Sequence, residues 1–359
     1  MKKKLSFLAS LLFVVMFTVA CGTQDNGGNI QQTTSERSNM PVVDPIVIRF
    51  GHVGVDDPEV QTQYGALAFA RRVNELSGGI MRVDVYPASQ LGSSVEMGHM
   101  LQAGTLHMAD LENASLTNFV PEAMWSDLPY IIQSYEHARA VYDARSSVSR
   151  WMRPLFVEQG LRVLNVYDTG FRHMMNNVNP INHPRDMDGL VMRVMPSVVM
   201  METIAAFGSE VDTTPFAQVP DAIRGGLING NEQTLGVIAG NRMWEFQPYI
   251  SMTAHFFGLR KYTFSEVLWQ QLTPAQQLII LEASEYATNR MNAHHHANEA
   301  ILLQQLTQEG MQVTNLTVAN MAAFIEAGAT VWPLFFESIG SGNAARGSVI
   351  IDMVSSYIP

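Results

Sequence analysis

The chain has 359 residues, 47% of them hydrophobic and 15% charged, which suits about two globular domains of the usual ~100 to 200 residues each. Its formal net charge of −11 disfavours nucleic acid and anionic lipid surfaces as partners, because sequence-independent affinity for both comes from an excess of Lys and Arg. A small anionic ligand is not excluded, since a few arginines in a cleft set the local field there.

Residues 1–21 open with three lysines, continue with an apolar stretch from Leu5 to Ala20 and end at Cys21. This is the form of a secretory signal, short for a membrane span of ~20 residues. Cys21 is the only cysteine in the chain, so no intramolecular disulfide can form. Thr18-Val19-Ala20-Cys21 resembles the bacterial lipoprotein processing box, which would make Cys21 a lipid anchor; the alternative is an ordinary cleaved signal with an incidental cysteine. Residues 22–44 are rich in Gly, Gln, Asn, Thr and Ser and read as a flexible tether.

From Ile46 the pattern becomes regular. IVIRFGHV reads as a strand, Asp57-Pro58 as a helix N-cap followed by Pro, and Val60, Tyr64 and Leu67 keep helical spacing until Gly78-Gly79. MRVDVY (81–86) alternates as a strand, residues 95–103 form a short amphipathic helix, and LHMADLE (106–112) reads as a third strand. Strand and helix in alternation predict crossovers onto a largely parallel sheet. The pattern then restarts: residues 137–159 read as a helix, RVLNVYDT (162–169) and VMRVM (191–195) as strands, and the segments 198–207 and 219–227 as helices. Two such sets argue for two α/β lobes, with the chain crossing between them near residues 165–172. Thr273-Pro274 opens a long helix running to Gly310, MQVTNL (311–316) returns as a strand, and residues 317–338 are helical again.

Motifs for a nucleophile elbow, a phosphate loop, a dinucleotide fold or a metalloprotease are all missing from the sequence, so no nucleophile is nominated. His294-His295-His296 invites a metal reading, but consecutive helical residues point ~100° apart and cannot converge on one ion. A solvated helix face is expected there, and no metal or cofactor. The arginines say more. Arg193 lies in the apolar strand GLVMRVMP, and Arg172 follows the strand 162–169 just after Gly170. Two guanidinium forks on adjacent strands could hold a small acid from two sides. Equally, they could pair internally with Asp168, Asp186 or Asp188.

YPASQLG (86–92), the LENASLTNFVPEAMWSDLPYII block (111–132), GLRVLNVYDTGFR, INHPRDMDGLVMRV and INGNEQT (228–234) occur in this order. Together they resemble the extracytoplasmic solute-binding subunits of TRAP transporters, the DctP family, close to the branch that binds sialic acid. The resemblance implies an α/β, two-lobed periplasmic binding protein fold with a ligand cleft between the lobes and a long connecting helix. Lobe I would comprise residues 45–169 plus about 259–298, and lobe II residues 170–258 plus about 299–359. It implies Arg193 as the main salt-bridge partner of a ligand carboxylate and Arg172 as a second cationic contact. Gln233 stands where the family has an asparagine that donates to that carboxylate, one methylene longer. Glu112 falls where a carboxylate faces a polar ligand group, and Phe216 where an aromatic lines the pocket; read alone, they are a strand-end residue and a core aromatic. His52, Asp56 and Asp57 lie in a loop that departs from the branch, where Val53 replaces a polar residue.

The implied function is capture of a small carboxylated solute, a sugar acid such as sialic acid or a uronate, or a C4-dicarboxylate. The solute would pass to the small and large membrane subunits of the permease, with the protein touching the membrane only through its anchor. No catalysis is implied. A sensor lipoprotein with the same cleft is one alternative; an exported sugar-acid enzyme using His52 with Asp56 or Asp57 is another.

Overall fold

The structure, a computed structural model, describes residues 46–338 and 344–358; the signal segment, Cys21 and the tether lie outside them. The strands are β1 (Ile46–His52), β2 (Met81–Tyr86), β3 (Met108–Glu112), β4 (Leu161–Asn176), β5 (Val191–Arg193), β6 (Glu210–Asp212), β7 (Gly230–Thr234), β8 (Tyr249–Ser265) and β9 (Gln312–Thr314). They form one sheet in the order β2-β1-β3-β8-β4-β7-β5-β6, with β9 added to β8. β1 runs parallel to β2 and β3, and β5 parallel to β6 and β7. The centre is antiparallel: β4 pairs with β8 along most of its length and β3 and β7 join them from either side. The expected parallel crossovers therefore build the two ends of the sheet, while the middle is a long antiparallel pair.

β4 and β8 span both halves of this two-lobed α/β fold. The pairing slips between Asp168 and Gly170 and again between Arg172 and Met174. Gly170 has φ +89°, and a Cβ there would stand 2.6 Å from His295 Nε2. Only glycine fits that bend. Every residue of β8 from His255 to Ser265 is buried, so both faces are covered and the strand shows no alternation.

Apolar side chains fill both sides of this frame. Near β1, Phe50 meets Phe69 at 5.6 Å and Tyr262 at 5.1 Å between ring centroids, both edge-on. Against this cluster lie Ile280, Ala283, Ala287 and Met291, the buried stripe of the helix Pro274–Gln308. Thr273 caps that helix in a reciprocal box with Gln276, as the Thr-Pro start predicts. Near β5, Met174, Met192, Val194, Ile204, Phe207 and Phe324 form the counterpart core. Burying each such side chain is worth about 1.5–3 kcal/mol.

Two local expectations change. The helix expected to start at Asp57-Pro58 begins at Gln61, because Asp57 turns the chain instead, its Oδ1 accepting from Glu59 N at 2.9 Å. Residues 137–159 are two helices, Tyr135–Tyr142 and Ser147–Glu158. Asp143 accepts from Arg145 N at 2.7 Å between them, and Ser146 caps the second, so local side-chain bonds replace one helical turn.

Candidate functional site

A cleft of about 650 Å³ opens beside the middle of the sheet, and Arg193, Arg172, Gln233, Glu112 and Phe216 all line it. Strand register gathers them. Arg193 closes β5 next to Asn231 of β7, Arg172 sits on β4 opposite Thr234, and Glu112 ends β3 opposite Arg260 of β8. Phe216 follows Pro215 in a short 3-10 turn, its ring centroid 6.0 Å from the Arg193 guanidinium carbon. Met195, Met200, Phe256, Phe257 and Leu259 add apolar walls.

The two arginines differ in kind. Arg172 is internally paired, though not with Asp168, Asp186 or Asp188: its Nε donates to Glu232 Oε2, and its Nη2 donates to Glu232 Oε1 at 2.9 Å and to Gln233 Oε1 at 3.1 Å. Glu232 is fully buried. Among the described residues Arg172 Nη1 has no hydrogen-bond partner, so one corner of the fork is left for something else. Because the Gln233 carbonyl oxygen faces a donor, its NH2 group is the end left free.

Arg193 is only 4% exposed, yet among the described residues no carboxylate lies within 4.0 Å of it. Its hydrogen bond runs from Nε to the carbonyl oxygen of Thr214, at 2.9 Å. Burial pulls its pKa down from 12.5 to about 10, and neighbouring Arg172 pushes the same way against the attraction of Glu232. A buried cation without a counter-charge is costly, and an arriving anion relieves that cost.

Glu112 neither faces open solvent nor stands free. Ser94 Oγ donates to its Oε2, and Arg260 Nη1 donates to its Oε1 at 2.5 Å. Burial alone would raise its pKa, but Arg260 and Ser94 together hold it below the usual glutamate value. Arg260 also donates from Nε to Asp110 Oδ1 at 3.0 Å, so it is shared between two acids. Sequence reasoning missed Arg260, and missed two more residues of the cleft wall, Asn113 and Asp127. Asn113 Nδ2 donates to Asp127 Oδ1 at 2.9 Å, while Lys261 Nζ donates to Asn113 Oδ1 from beneath. Burial raises Asp127 to about 6 and lowers Lys261 to about 8. The signal for Arg260 was two basic residues inside the apolar run FFGLRKYTF, a strand reading the sequence pattern did not suggest.

The His52 loop enters the site only by backbone and apolar parts. Val53 and Gly54 line the cleft, whereas His52, Asp56 and Asp57 do not. His52 Nε2 is 2.8 Å from Gln63 Oε1, and Gln63 in turn reaches Asp56 at 2.7 Å. An amide therefore separates the histidine from the acid proposed as its partner. In the His triplet, His294 stacks on Tyr64, His295 is buried beside Gly170 and His296 Nε2 lies 3.0 Å from Asp168. The expected solvated face thus holds for His296, which is exposed, but not for His295, which packs over the β4 bend. Among the described residues no group of three His, Cys, Asp or Glu side chains is placed to hold a metal.

Two α/β halves spanned by two bent strands, with a cleft that presents a buried guanidinium unpaired among the described residues, define a two-lobed protein that binds small anionic solutes. The chain belongs to bacterial extracellular solute-binding protein family 7, the DctP family, whose model matches residues 50–339. It is 27% identical over 272 residues to a solute-binding protein of Verminephrobacter eiseniae, covering 76% of this chain and 80% of that protein. A TRAP periplasmic solute-binding protein from Sulfurospirillum deleyianum, solved with succinate, matches at TM-score 0.80 and 26% identity over 87% of this chain and 99% of that one. The sugar acid-binding protein DctPAm from Advenella mimigardefordensis, solved with galactonate, matches in fold at TM-score 0.82 and 22% identity, covering 88% of this chain and 100% of that one.

Proposed function

We propose that this chain is the solute-binding subunit of a TRAP transporter, capturing a small carboxylated solute outside the cytoplasm and delivering it to the membrane permease. The observation that carries this is Arg193: a nearly fully buried guanidinium, lining a cleft, with no acid within 4.0 Å among the described residues. A carboxylate placed there meets a planar fork of donors, with Arg172 Nη1 and the Gln233 amide as further donors. Similar structures solved with D-erythronate and with succinate share a carboxylate, the group that Arg193 would meet, which supports a carboxylated solute.

Closure is the working step. In the proposed lobes, residues 45–169 with about 259–298 and residues 170–258 with about 299–359, the two strand bends at Gly170 and near Ala254 act as hinges. Glu112 and Arg260 belong to the first lobe, Arg193, Arg172, Gln233 and Phe216 to the second. A solute that bridges them stabilises only the closed form, and so shifts the population towards it. The Cys21 anchor and the tether 22–44 keep the loaded protein near the permease and raise its local concentration.

A thermal-shift screen of ligand-stripped protein against aldonates, uronates, sialic acid, keto acids and dicarboxylates tests the proposal. A true solute at a hundredfold its Kd stabilises by about 2.7 kcal/mol. Absence of any saturable shift in folded protein overturns the carboxylate reading.

A further inference from the structure

The charges around the cleft are almost all spoken for. Three guanidinium groups line it. Arg172 is paired with Glu232, and Arg260 is divided between Asp110 and Glu112. Arg193 alone of the three has no acid within 4.0 Å among the described residues. Lys261, the nearest ammonium group in sequence to Arg260, does not line the cleft and spends its Nζ on Asn113.

The acidic side is the reverse. Glu96 is held in its helix cap, its Oε2 accepting from Ser93 N at 2.7 Å. Glu112 lines the wall with both oxygens occupied. Asp127 also lines it, its residue only 6% exposed; its Oδ1 accepts from Asn113 Nδ2 at 2.9 Å, and the Ser197 hydroxyl stabilises its charged form. The cleft thus has a free fork for one carboxylate and, elsewhere, carboxylate oxygens that can take only a further donor. A hydroxyl satisfies such an acceptor; a second carboxylate cannot, and it would be desolvated next to like charge.

Resting on the carboxylate-capture reading, we infer that the cleft takes solutes bearing one carboxylate and uncharged hydroxyls. It rejects the same carbon chain carrying a carboxylate at both ends. Glu112 and Asp127 are the rejecting groups. Glu112 acts twice, by its own charge and by occupying the Arg260 nitrogen that a second carboxylate would need. Asp127 is ionised at neutral pH, since its pKa is raised only to about 6.

Calorimetric titration of ligand-stripped protein at pH 7.5 with matched pairs tests this: erythronate against tartrate, and galactonate against galactarate. Within each pair the number of carbons is equal and a terminal CH2OH becomes a carboxylate. The diacid is expected to bind at least 100-fold more weakly than its partner. Glu112→Gln, which removes the charge and releases Arg260, is expected to narrow that ratio at least tenfold. Asp127→Asn supplies the second variant should Glu112→Gln fail to fold. Equal affinities within a pair overturn the charge selection while leaving carboxylate capture standing. A large ratio that neither folded variant narrows overturns the assignment to Glu112 and Asp127. No binding of these or of any other carboxylate overturns capture itself, and the selection with it.

Discussion

Replacing Arg193 with methionine separates its two effects, because they carry opposite signs. In the ligand-free protein the guanidinium is buried with a single bond, from Nε to Thr214 O, and its pKa falls from 12.5 to about 10. At 1.36 kcal/mol per pK unit, holding that charge costs the empty fold on the order of 3 kcal/mol. Arg193→Met keeps a long apolar stem against Phe216 and drops the charge, so urea denaturation without ligand should show equal or greater stability. Binding should move the other way. A carboxylate enclosed without its charged partner loses about 2 to 5 kcal/mol, roughly 30-fold to a few thousand-fold in Kd. Calorimetry with the best-bound solute of the screen reads this directly. A loss below tenfold in affinity, or a fall in ligand-free stability of more than about 2 kcal/mol, would refute the reasoning, since either outcome means that Arg193 serves an internal partner.

Glu232→Gln leaves Arg172 as a buried cation without its acid and should destabilise the fold by about 3–5 kcal/mol in urea melts; a cost below 1 kcal/mol would mean that the pair is not formed. Gly170→Ala forces a Cβ into a φ of +89° and to within 2.6 Å of His295 Nε2, so calorimetric Tm should fall by several degrees, and an unchanged Tm would show that the bend is not as described. Asp127 has a folded pKa of about 6 against an unfolded value of about 3.9, so the native state binds more protons and stability falls as pH rises from about 4 to 6. Asp127→Asn should remove a component on the order of 3 kcal/mol from that fall, and an identical pH profile would contradict the buried, ionising acid.

Local pattern was legible where one face of an element is buried. MRVDVY and the Thr273-Pro274 helix start appear as read. β8 escaped because His255 to Ser265 are buried on both sides, which erases the period of two, and because two basic residues interrupt the run. Its antiparallel placement beside β4 is also what turns an expected parallel sheet into a mixed one. Within the cleft, residue type and spacing brought out Arg172 and Arg193 as candidates but not which of them was free. That depends on Glu232, which meets Arg172 across 60 residues through the β4 to β7 register. Arg260 and Asp127 were invisible for a similar reason: their partners Asp110, Glu112 and Asn113 are distant in sequence from at least one of them, and pairing is decided by tertiary contact. In the His triplet the solvated reading holds for His296 and fails for His295, which packs beside Gly170.

The role of Arg193 as the carboxylate socket is measured most directly by a double cycle: the best-bound acid and its neutral primary amide, each titrated into the wild-type protein and Arg193→Met. The amide keeps the size and shape of the acid but removes its charge. Wild type should prefer the acid by at least 100-fold and Arg193→Met by less than tenfold, a coupling of about 1.4 kcal/mol or more. The same preference for the acid in both proteins would contradict the assignment and place the recognition of charge elsewhere in the cleft.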